Sequence, residues 1–243
     1  GQVHRARLKT GEDVAVKIQY PGIARTIRTD FRNLFPVLLP NRLSKDWENL
    51  KAQVDYLRRS FEEETDYHRE AELLTRARKA FHEEDGILVP RVHSEFSTGR
   101  ILTMDFVPGR HLEAYLETRP SQEDRNERAA KLAKAAGRLM YRERMLNADC
   151  HPGNYLFLDD GRVGLIDFGC VLTYDKESEW ELLGRIKRAI LSGKEEHVRG
   201  VMREWGRLTD VPEDNDQLRL YTEFGKWSWR PYHVPGPYDF GDF

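Results

Sequence analysis

Alternating apolar and polar residues open the chain and predict a pair of β-strands. The alternation runs through residues 2–8, the chain turns at residues 10–13, and residues 14–18 alternate again. A period of two, interrupted by a short turn that contains glycine, is typical of an antiparallel hairpin. A second hairpin is predicted within residues 89–107, around the turn at residues 97–99. Together the hairpins indicate a small antiparallel sheet near the beginning of the chain.

A helical pattern covers residues 44–81 and changes character part-way along. Its first apolar side chains are three or four residues apart and form one stripe, which consists of Trp47, Leu50, Val54, Leu57 and Phe61. After Phe61 the pattern turns acidic, with Glu62, Asp66 and Glu70 at successive i, i+4 positions. Like charges at this spacing repel by about a few tenths of a kcal/mol per pair in an isolated helix. We therefore expect this acidic face to meet a cation.

Helical spacing returns in the second half of the chain, on either side of another hairpin. Residues 126–145 carry apolar side chains three or four residues apart, which predicts a buried helix. An apolar hairpin is predicted at residues 155–166, around an Asp-Asp-Gly turn. Two more helices are predicted after residue 175 from the apolar positions Trp180, Leu183, Ile186, Ile190, Val198, Val201, Met202 and Trp205. Residues 226–243, rich in Pro, Gly and aromatic side chains, are predicted to form a tail.

Composition narrows the classes of function. The 243 residues include 39 Lys and Arg against 41 Asp and Glu, spread along the chain, so nothing indicates a nucleic-acid partner. The longest apolar runs are far shorter than the roughly 20 residues that a membrane-spanning helix needs. Two cysteines, Cys150 and Cys170, form no paired motif, which suits a reducing compartment. We expect a cytoplasmic protein without a transmembrane segment, either free or peripheral at a membrane.

The candidate chemistry begins with an aspartate, an asparagine and a second aspartate in a fixed order. Asp149 is followed five residues later by Asn154, then by the short hairpin, and then by Asp167 in an Asp-Phe-Gly string. Kinase-type phosphoryl transfer uses this order. The hairpin returns the second loop beside the first, so Asp149 can face the acceptor oxygen while Asn154 and Asp167 bind Mg²⁺. A surface role for all three is a poor explanation of their order and spacing.

A lysine near the beginning of the chain completes this set. Lys17 ends the string Val-Ala-Val-Lys, which resembles the third strand of a protein kinase. In that strand the lysine contacts the α- and β-phosphates of ATP and pairs with a helix glutamate. We choose Glu70 as its partner, because Lys17 and Mg²⁺ are the cations available to the acidic face.

Adenine binding is assigned to the strand that ends the second predicted hairpin. Met104 is expected to line the back of the adenine pocket, while the Asp105 carbonyl and the Val107 amide hydrogen-bond the base. Ala15 is assigned to the same nucleotide-binding set. Because backbone groups serve here, side-chain identity is only loosely specified.

Four strings along the chain closely resemble the UbiB, or AarF-domain (ADCK-type), atypical protein-kinase-like family. They are VAVKIQYPG at residues 14–22, ETDYHREA at 64–71, ADCHPGN at 148–154 and LIDFG at 165–169. The resemblance covers residues 1 to about 210. Gln-Tyr-Pro-Gly after the lysine, Glu-x-Asp in the helix and His-Pro-Gly-Asn in the loop make a specific combination.

This resemblance implies a two-lobed, protein-kinase-like α+β fold. It places a small antiparallel-sheet lobe at residues 1–105, with a helical insertion at about 22–62 and the glutamate helix at about 62–81, and a mainly helical lobe at 106–225. It implies ATP or ADP and Mg²⁺ as cofactors, and it assigns the family's Glu-x-Asp to Glu64 and Asp66. Members are tied to ubiquinone or other isoprenoid-lipid metabolism, often at membranes. The partners it implies are a small or lipid-like acceptor, a membrane surface or lipid-biosynthesis proteins.

The chain departs from the family and from protein kinases at several points. The family's K-x-G-Q motif and alanine-rich nucleotide loop are absent from these residues, and Cys150 stands where the family commonly has Pro. His151 occupies the place of a protein kinase's loop lysine. It either contacts the γ-phosphate or holds the loop by a hydrogen bond, and the sequence leaves both roles open.

Two other functions fit part of the sequence. A small-molecule phosphotransferase of the aminoglycoside or choline kinase type shares the D-x-H-x-x-N loop, but the Gln-Tyr-Pro-Gly and Glu-x-Asp strings argue against it. A pseudokinase scaffold would bind nucleotide without turnover, although retention of Lys17, Asp149, Asn154 and Asp167 favours chemistry. Few residues separate Gly169 from the next predicted helix, and no A-P-E string follows. We therefore do not expect phosphorylation of proteins in trans.

Overall fold

The structure is a computed structural model that describes residues 1–38, 47–204, 216–232 and 238–239. The chain forms two compact units. The first combines Gly1–Pro120 with Asn147–Leu172, and the second combines Ser121–Leu146 with Thr173–Phe243. These units divide the chain by compactness and do not correspond to the two predicted lobes, so the lobe boundary at residue 105 stays a prediction.

Strands and helices alternate irregularly along the described chain. The strands are β1 (Gln2–Arg7), β2 (Asp13–Ile18), β3 (Ile87–Leu88), β4 (Ile101–Asp105), β5 (Met145–Asn147), β6 (Tyr155–Phe157), β7 (Val163–Leu165) and β8 (Val171–Thr173). The helices are α1 (Ile23–Leu38), α2 (Trp47–Glu64), α3 (Tyr67–Lys79), α4 (Leu112–Glu117), α5 (Gln122–Tyr141), α6 (Glu177–Leu191), α7 (Glu195–Glu204) and α8 (Asp216–Trp229). Among the described residues, no helix is both long and apolar enough to cross a membrane.

Two three-stranded sheets organise the first unit. The first has the order β1-β2-β4 with antiparallel pairing, and Lys17 stands opposite Leu102 while Ala15 stands opposite Met104. The second has the order β3-β7-β6, in which β6 and β7 form the predicted hairpin and β3 adds a parallel edge. Both the opening hairpin and the β6-β7 hairpin are confirmed.

The second predicted hairpin is only partly correct. Its returning arm is β4, but its first arm contributes no strand of its own beyond an isolated bridge between Val92 and Met104. The chain is held there by the bonds from the His93 amide to the Thr103 carbonyl and from the Asp105 amide to the Arg91 carbonyl. Residues 94–96 then form a 3-10 turn, which interrupts the ladder that alternation alone predicts.

The prediction of one helix over residues 44–81 is wrong where its character changes. Residues 44–46 lie outside the described part of the chain, and α2 ends at Glu64 while α3 begins at Tyr67. Asp66 is extended, with φ −100° and ψ 95°, and its carboxylate accepts hydrogen bonds from the amides of His68 and Arg69. Such an N-cap starts a new helix by satisfying amides that would otherwise lack a partner. Glu62, Asp66 and Glu70 therefore do not share one helical face.

The second unit has its own apolar core. Ala189 and Ile190 of α6 are buried against α7 and Leu218 of α8. Gly225 of α8 lies against Ile190, since a Cβ there would stand 2.6 Å from the Ile190 Cγ2. This glycine allows α6 and α8 to approach closely.

Three boundaries in the second half of the chain differ from the predictions. The helix expected at residues 126–145 is α5, which starts after its N-cap Ser121 and ends at Tyr141. The tail expected from residue 226 begins later, because helix α8 extends to Trp229. Within that helix Thr222 is buried. Of the apolar positions predicted after residue 175, Trp205 lies outside the described residues.

Candidate active site

Lys17 and Glu70 form an ion pair within the first unit. The Lys17 Nζ donates to both carboxylate oxygens of Glu70, at 2.8 and 2.9 Å. Only 2% of Glu70 is exposed, and it lies in the first turn of α3. Val14, on the opposite face of β2, is fully buried, which fixes the strand with Lys17 directed towards α3.

Asp167 joins this pair. Its Oδ2 accepts a third hydrogen bond from the Lys17 Nζ at 3.0 Å, and its Oδ1 accepts one from the Gly169 amide at 2.9 Å. The lysine therefore connects the helix carboxylate to the Asp-Phe-Gly turn. Two acceptors around one ammonium group hold it in a single position.

Burial and charge act in opposite directions on the ion pair. Burial opposes the charge of Lys17, but attraction to Glu70 and Asp167 outweighs it, so the pKa of Lys17 is raised. The pKa of Glu70 is raised, because burial and the neighbouring Asp167 outweigh the opposing attraction to Lys17.

Asp149 and Asn154 are also brought together. The Asn154 Nδ2 donates to the Asp149 Oδ2 at 3.0 Å and to the Asp149 carbonyl at 3.1 Å. The Asn147 Nδ2 donates to the Asp167 carbonyl at 3.4 Å, and the Ile166 backbone amide donates to the Asn154 carbonyl at 3.1 Å. These bonds connect the loop of Asp149 to the segment that carries Asp167.

His151 holds the loop that it belongs to. Its Nδ1 accepts a hydrogen bond from the Gly153 amide at 3.0 Å and caps the 3-10 turn of Pro152–Asn154. Its own amide donates to the Asp149 Oδ1 at 3.1 Å. Of the two roles that the sequence left open, the described contacts favour support of the loop.

The residues assigned to adenine lie at neighbouring positions of the first sheet. Ala15 and Met104 are cross-strand partners, and 5% of Met104 is exposed. The Asp105 side chain accepts a hydrogen bond from the His93 ring at 2.8 Å. This bond does not involve the Asp105 carbonyl or the Val107 amide, which were assigned to adenine. Among the hydrogen bonds of the described residues, none uses the Val107 amide as donor.

The two acids assigned from the family's Glu-x-Asp have different outcomes. The side chain of Glu64 lies outside what the structure describes. The described contacts of Asp66 are its capping bonds at the start of α3, with the His68 amide at 3.1 Å. Their roles towards nucleotide stay predictions.

Three residues that contact this site were not singled out in the sequence. Arg69 donates to the Val171 carbonyl at 2.6 Å, and its guanidinium lies 3.2 Å from Glu63. Burial, and to a smaller extent the neighbouring Cys150, raise the pKa of Tyr155 to about 12. Gln19 donates to the Thr65 carbonyl at 2.6 Å. Gln19 and Arg69 belonged to recognised strings, but no residue pattern indicated their partners.

The donor set suits Mg²⁺ held jointly with phosphate. Mg²⁺ prefers oxygen ligands and is usually bound by one or two protein groups together with waters and phosphates. Asp167 offers a carboxylate, and Asn154 keeps its carbonyl oxygen as an acceptor because its NH₂ group is bonded to Asp149. In the described residues, no group of three or more His, Cys, Asp or Glu could hold a metal by itself. Asp167 and Asn154 therefore fit the metal role.

Comparison with known proteins decides the family. The model of the ABC1 atypical kinase-like domain matches residues 1–201. The chain belongs to the ABC1 atypical kinase family. This confirms the resemblance to UbiB-type proteins.

Members of the ABC1 family resemble the chain over most of its length. "Atypical kinase coq-8, mitochondrial" of Caenorhabditis elegans is 33% identical over 214 residues, which cover 86% of this chain and 28% of the worm protein. "Protein ACTIVITY OF BC1 COMPLEX KINASE 1, chloroplastic" of Arabidopsis thaliana is 29% identical over 220 residues, which cover 89% of this chain and 32% of the plant protein. The chain thus spans less than half the length of either relative.

A solved structure extends the comparison to the fold. The complex of Rv3197 with erythromycin from Mycobacterium tuberculosis matches with a TM-score of 0.67 and 27% identity, covering 99% of this chain and 65% of that one. The predicted protein-kinase-like α+β fold of this ABC1 family chain is thereby confirmed.

Proposed function

We propose that this chain binds Mg-ATP or Mg-ADP and transfers the γ-phosphoryl group of ATP to water or to a small, lipid-like acceptor. The observation that carries the proposal is the Lys17 ammonium, held between Glu70 and Asp167 in the unit that also contains Asp149 and Asn154. A fixed cation beside a metal-binding carboxylate suits a triphosphate, whose transfer depends on positioning and on neutralising charge.

Each residue has a separate task in this proposal. Lys17 binds the α- and β-phosphates, and Glu70 fixes its position. Asn154 and Asp167 would hold Mg²⁺, which neutralises charge on the phosphates when bound. Asp149 accepts a hydrogen bond from the acceptor hydroxyl or water and orients it, while His151 keeps the loop in shape. Ala15, Met104 and the backbone of Asp105 and Val107 would bind adenine.

The acceptor and the setting come from the family. The proposal includes support of ubiquinone or other isoprenoid-lipid metabolism, with partners that are a lipid-like small molecule, a membrane surface or lipid-biosynthesis proteins. The names of two relatives, coq-8 and a kinase named for the activity of the bc1 complex, support this direction. The proposed location is the cytoplasmic side of a membrane or the cytoplasm itself.

Nucleotide binding tests the proposal. Calorimetric titration of the folded protein should show binding of ADP that needs Mg²⁺ and disappears with EDTA. Asp167→Asn should weaken it at least about tenfold, which corresponds to about 1.4 kcal/mol, because a carboxylate ligand and a charge are lost.

Asp160→Asn provides a matched control. Asp160 bonds Arg162 in the turn of the β6-β7 hairpin, so the same chemical change there should leave the affinity unaltered. If folded protein binds no nucleotide in the presence of Mg²⁺, the proposal is wrong. If Asp160→Asn weakened nucleotide binding as much as Asp167→Asn does, Asp167 could no longer be assigned to the nucleotide site.

A further inference from the structure

Gln19 connects the strand of Lys17 to the start of the Glu70 helix. Its backbone amide donates to the Arg100 carbonyl at 3.0 Å and so prolongs the pairing of β2 beyond Ile18. Its side-chain Nε2 donates to the Thr65 carbonyl at 2.6 Å. Thr65 lies in the break between α2 and α3. The bond therefore fixes the break itself to the sheet.

Gln19 and Lys17 form successive contacts along one face. Residues two apart in a strand point to the same side, and they are separated by about 6.7 Å. Their partners, Thr65 and Glu70, are five residues apart, and the order of the partners along the chain is reversed. The Gln19-Thr65 bond and the Lys17-Glu70 pair therefore act as two rungs that connect β2 to the break before α3 and to its first turn. The chain from Thr65 to Glu70 consequently runs antiparallel to the strand at this point.

The segment between the two rungs is stiff. The Thr65 hydroxyl donates to the Glu62 carbonyl at 2.8 Å, and the Asp66 carboxylate caps the next turn. The Glu70 amide then donates to the Asp66 carbonyl at 3.1 Å. A displacement of Thr65 would therefore move Glu70 rather than be absorbed by a flexible loop.

We propose that Gln19 is a positioning residue, which sets the location of the Glu70 carboxylate and, through it, of the Lys17 ammonium. The inference rests on the proposed phosphoryl transfer for its effect on rate. Loss of the rung leaves α3 attached by Arg69 to the Val171 carbonyl, so the fold survives while the ion pair shifts. A misplacement of about 1 Å at a reacting group can cost on the order of 10²-fold in rate.

The kinetic test uses Gln19→Ala, Glu70→Gln and the double variant. We expect Gln19→Ala to reduce kcat for ATP turnover about tenfold with KM changed less than about threefold, because Lys17 is misplaced while the proposed adenine and metal contacts remain. In the Glu70→Gln background the same change should have little further effect, as coupled residues behave. Gln19→Glu, which places an acceptor against the Thr65 carbonyl, should match or exceed the loss.

Arg78→Met is the matched control on the same helix. The Arg78 guanidinium donates to the Val89 carbonyl at 2.9 Å, so it too joins α3 to the chain by a side chain to carbonyl bond, but at the far end from Glu70. We expect kcat to stay within about twofold of the unaltered protein. A loss equal to that of Gln19→Ala would show that general support of α3, and no positioning role, explains the effect.

A second readout does not need ATP. The Glu70 amide donates to the Asp66 carbonyl at 3.1 Å, so its hydrogen exchange reports whether the first turn of α3 keeps its place. We expect faster exchange at the Glu70 amide in Gln19→Ala and unchanged exchange in Arg78→Met.

The outcomes separate the two proposals. If the unaltered protein turns over no ATP, the proposed function fails, and exchange at the Glu70 amide alone decides the role of Gln19. Unchanged exchange there in Gln19→Ala overturns the inference. The inference is also overturned if Gln19→Ala lowers kcat by the same factor in the unaltered protein and in the Glu70→Gln variant.

Discussion

Replacing Asp149 by Asn should reduce ATP turnover by about 10²- to 10⁴-fold while the protein stays folded. That is the usual contribution of a positioned acid or base. Asn in this position keeps one of the two acceptor oxygens, and the bond from Asn154 to the backbone carbonyl of residue 149 is unaffected, so the loop stays tied together. What is lost is the negative oxygen that orients the attacking hydroxyl or water. The measurement is a radiolabelled-ATP assay of the protein with Mg²⁺, with thermal unfolding as the check on folding.

The same assay tests the class of acceptor. Only seven residues, Cys170 to Lys176, separate Gly169 from the start of α6 at Glu177, which leaves no long activation segment to position a peptide. We expect slow hydrolysis or labelling of small molecules, stimulated by lipid or an isoprenoid-phenol mimic, and no label on generic protein substrates. Strong phosphorylation of proteins that disappears in Asp149→Asn would contradict the small acceptor.

Removal of either partner of the Lys17-Glu70 pair should be nearly as harmful as removal of both. Lys17→Ala takes away the phosphate contact, and Glu70→Ala leaves the ammonium with Asp167 as its remaining carboxylate partner in the pair. Each should lower kcat/KM by about 10²- to 10³-fold, the usual cost of losing one preorganised electrostatic group. The double variant should lose much less than the product of these factors, because the residues act as one unit.

Stability should respond asymmetrically to the same variants. The Glu70 side chain is 1% exposed, against 16% for Lys17. Breaking a buried ion pair by removing one partner costs about 3–5 kcal/mol, because the other charge is left uncompensated. Lys17→Ala leaves the more buried Glu70 without its partner and should be the more destabilising change, since in Glu70→Ala the lysine can keep its bond to Asp167.

One result would contradict the pairing of Lys17 with Glu70. If the double variant loses activity by the full product of the two single losses, Glu70 acts separately from Lys17 and the pairing role returns to Glu64 or Asp66.

The sequence predicts this site better than it predicts the elements that carry it. Asp149, Asn154 and Asp167 are recognisable because a hairpin of fixed length separates them, and the β6-β7 pairing follows from local alternation. Lys17 lies in a strand, β2, that alternation also identifies. These signals are short in range, so neighbouring residues suffice to reveal them.

What the sequence misses depends on contacts between distant residues or on capping. The break at Asp66 is invisible to periodicity, because an acidic residue in a helical pattern looks like a solvated face until its cap bonds are seen. Gln19 and Thr65 meet through a side chain and a carbonyl 46 residues apart, and a backbone acceptor leaves no mark on residue type. The sequence mispredicts a strand before β4 for the same reason, since the hydrogen bonds of that segment use backbone groups.

Labelling of Lys17 by an acyl-phosphate derivative of ATP tests the central claim most directly. Such a reagent transfers its acyl group to a lysine that lies beside the bound phosphates, and mass spectrometry of peptides identifies that lysine. We predict that Lys17 carries the label in the presence of Mg²⁺, that excess ATP prevents labelling, and that Asp167→Asn reduces it. Labelling that falls on other lysines, or that excess ATP leaves unchanged, would contradict the assignment of this site to ATP.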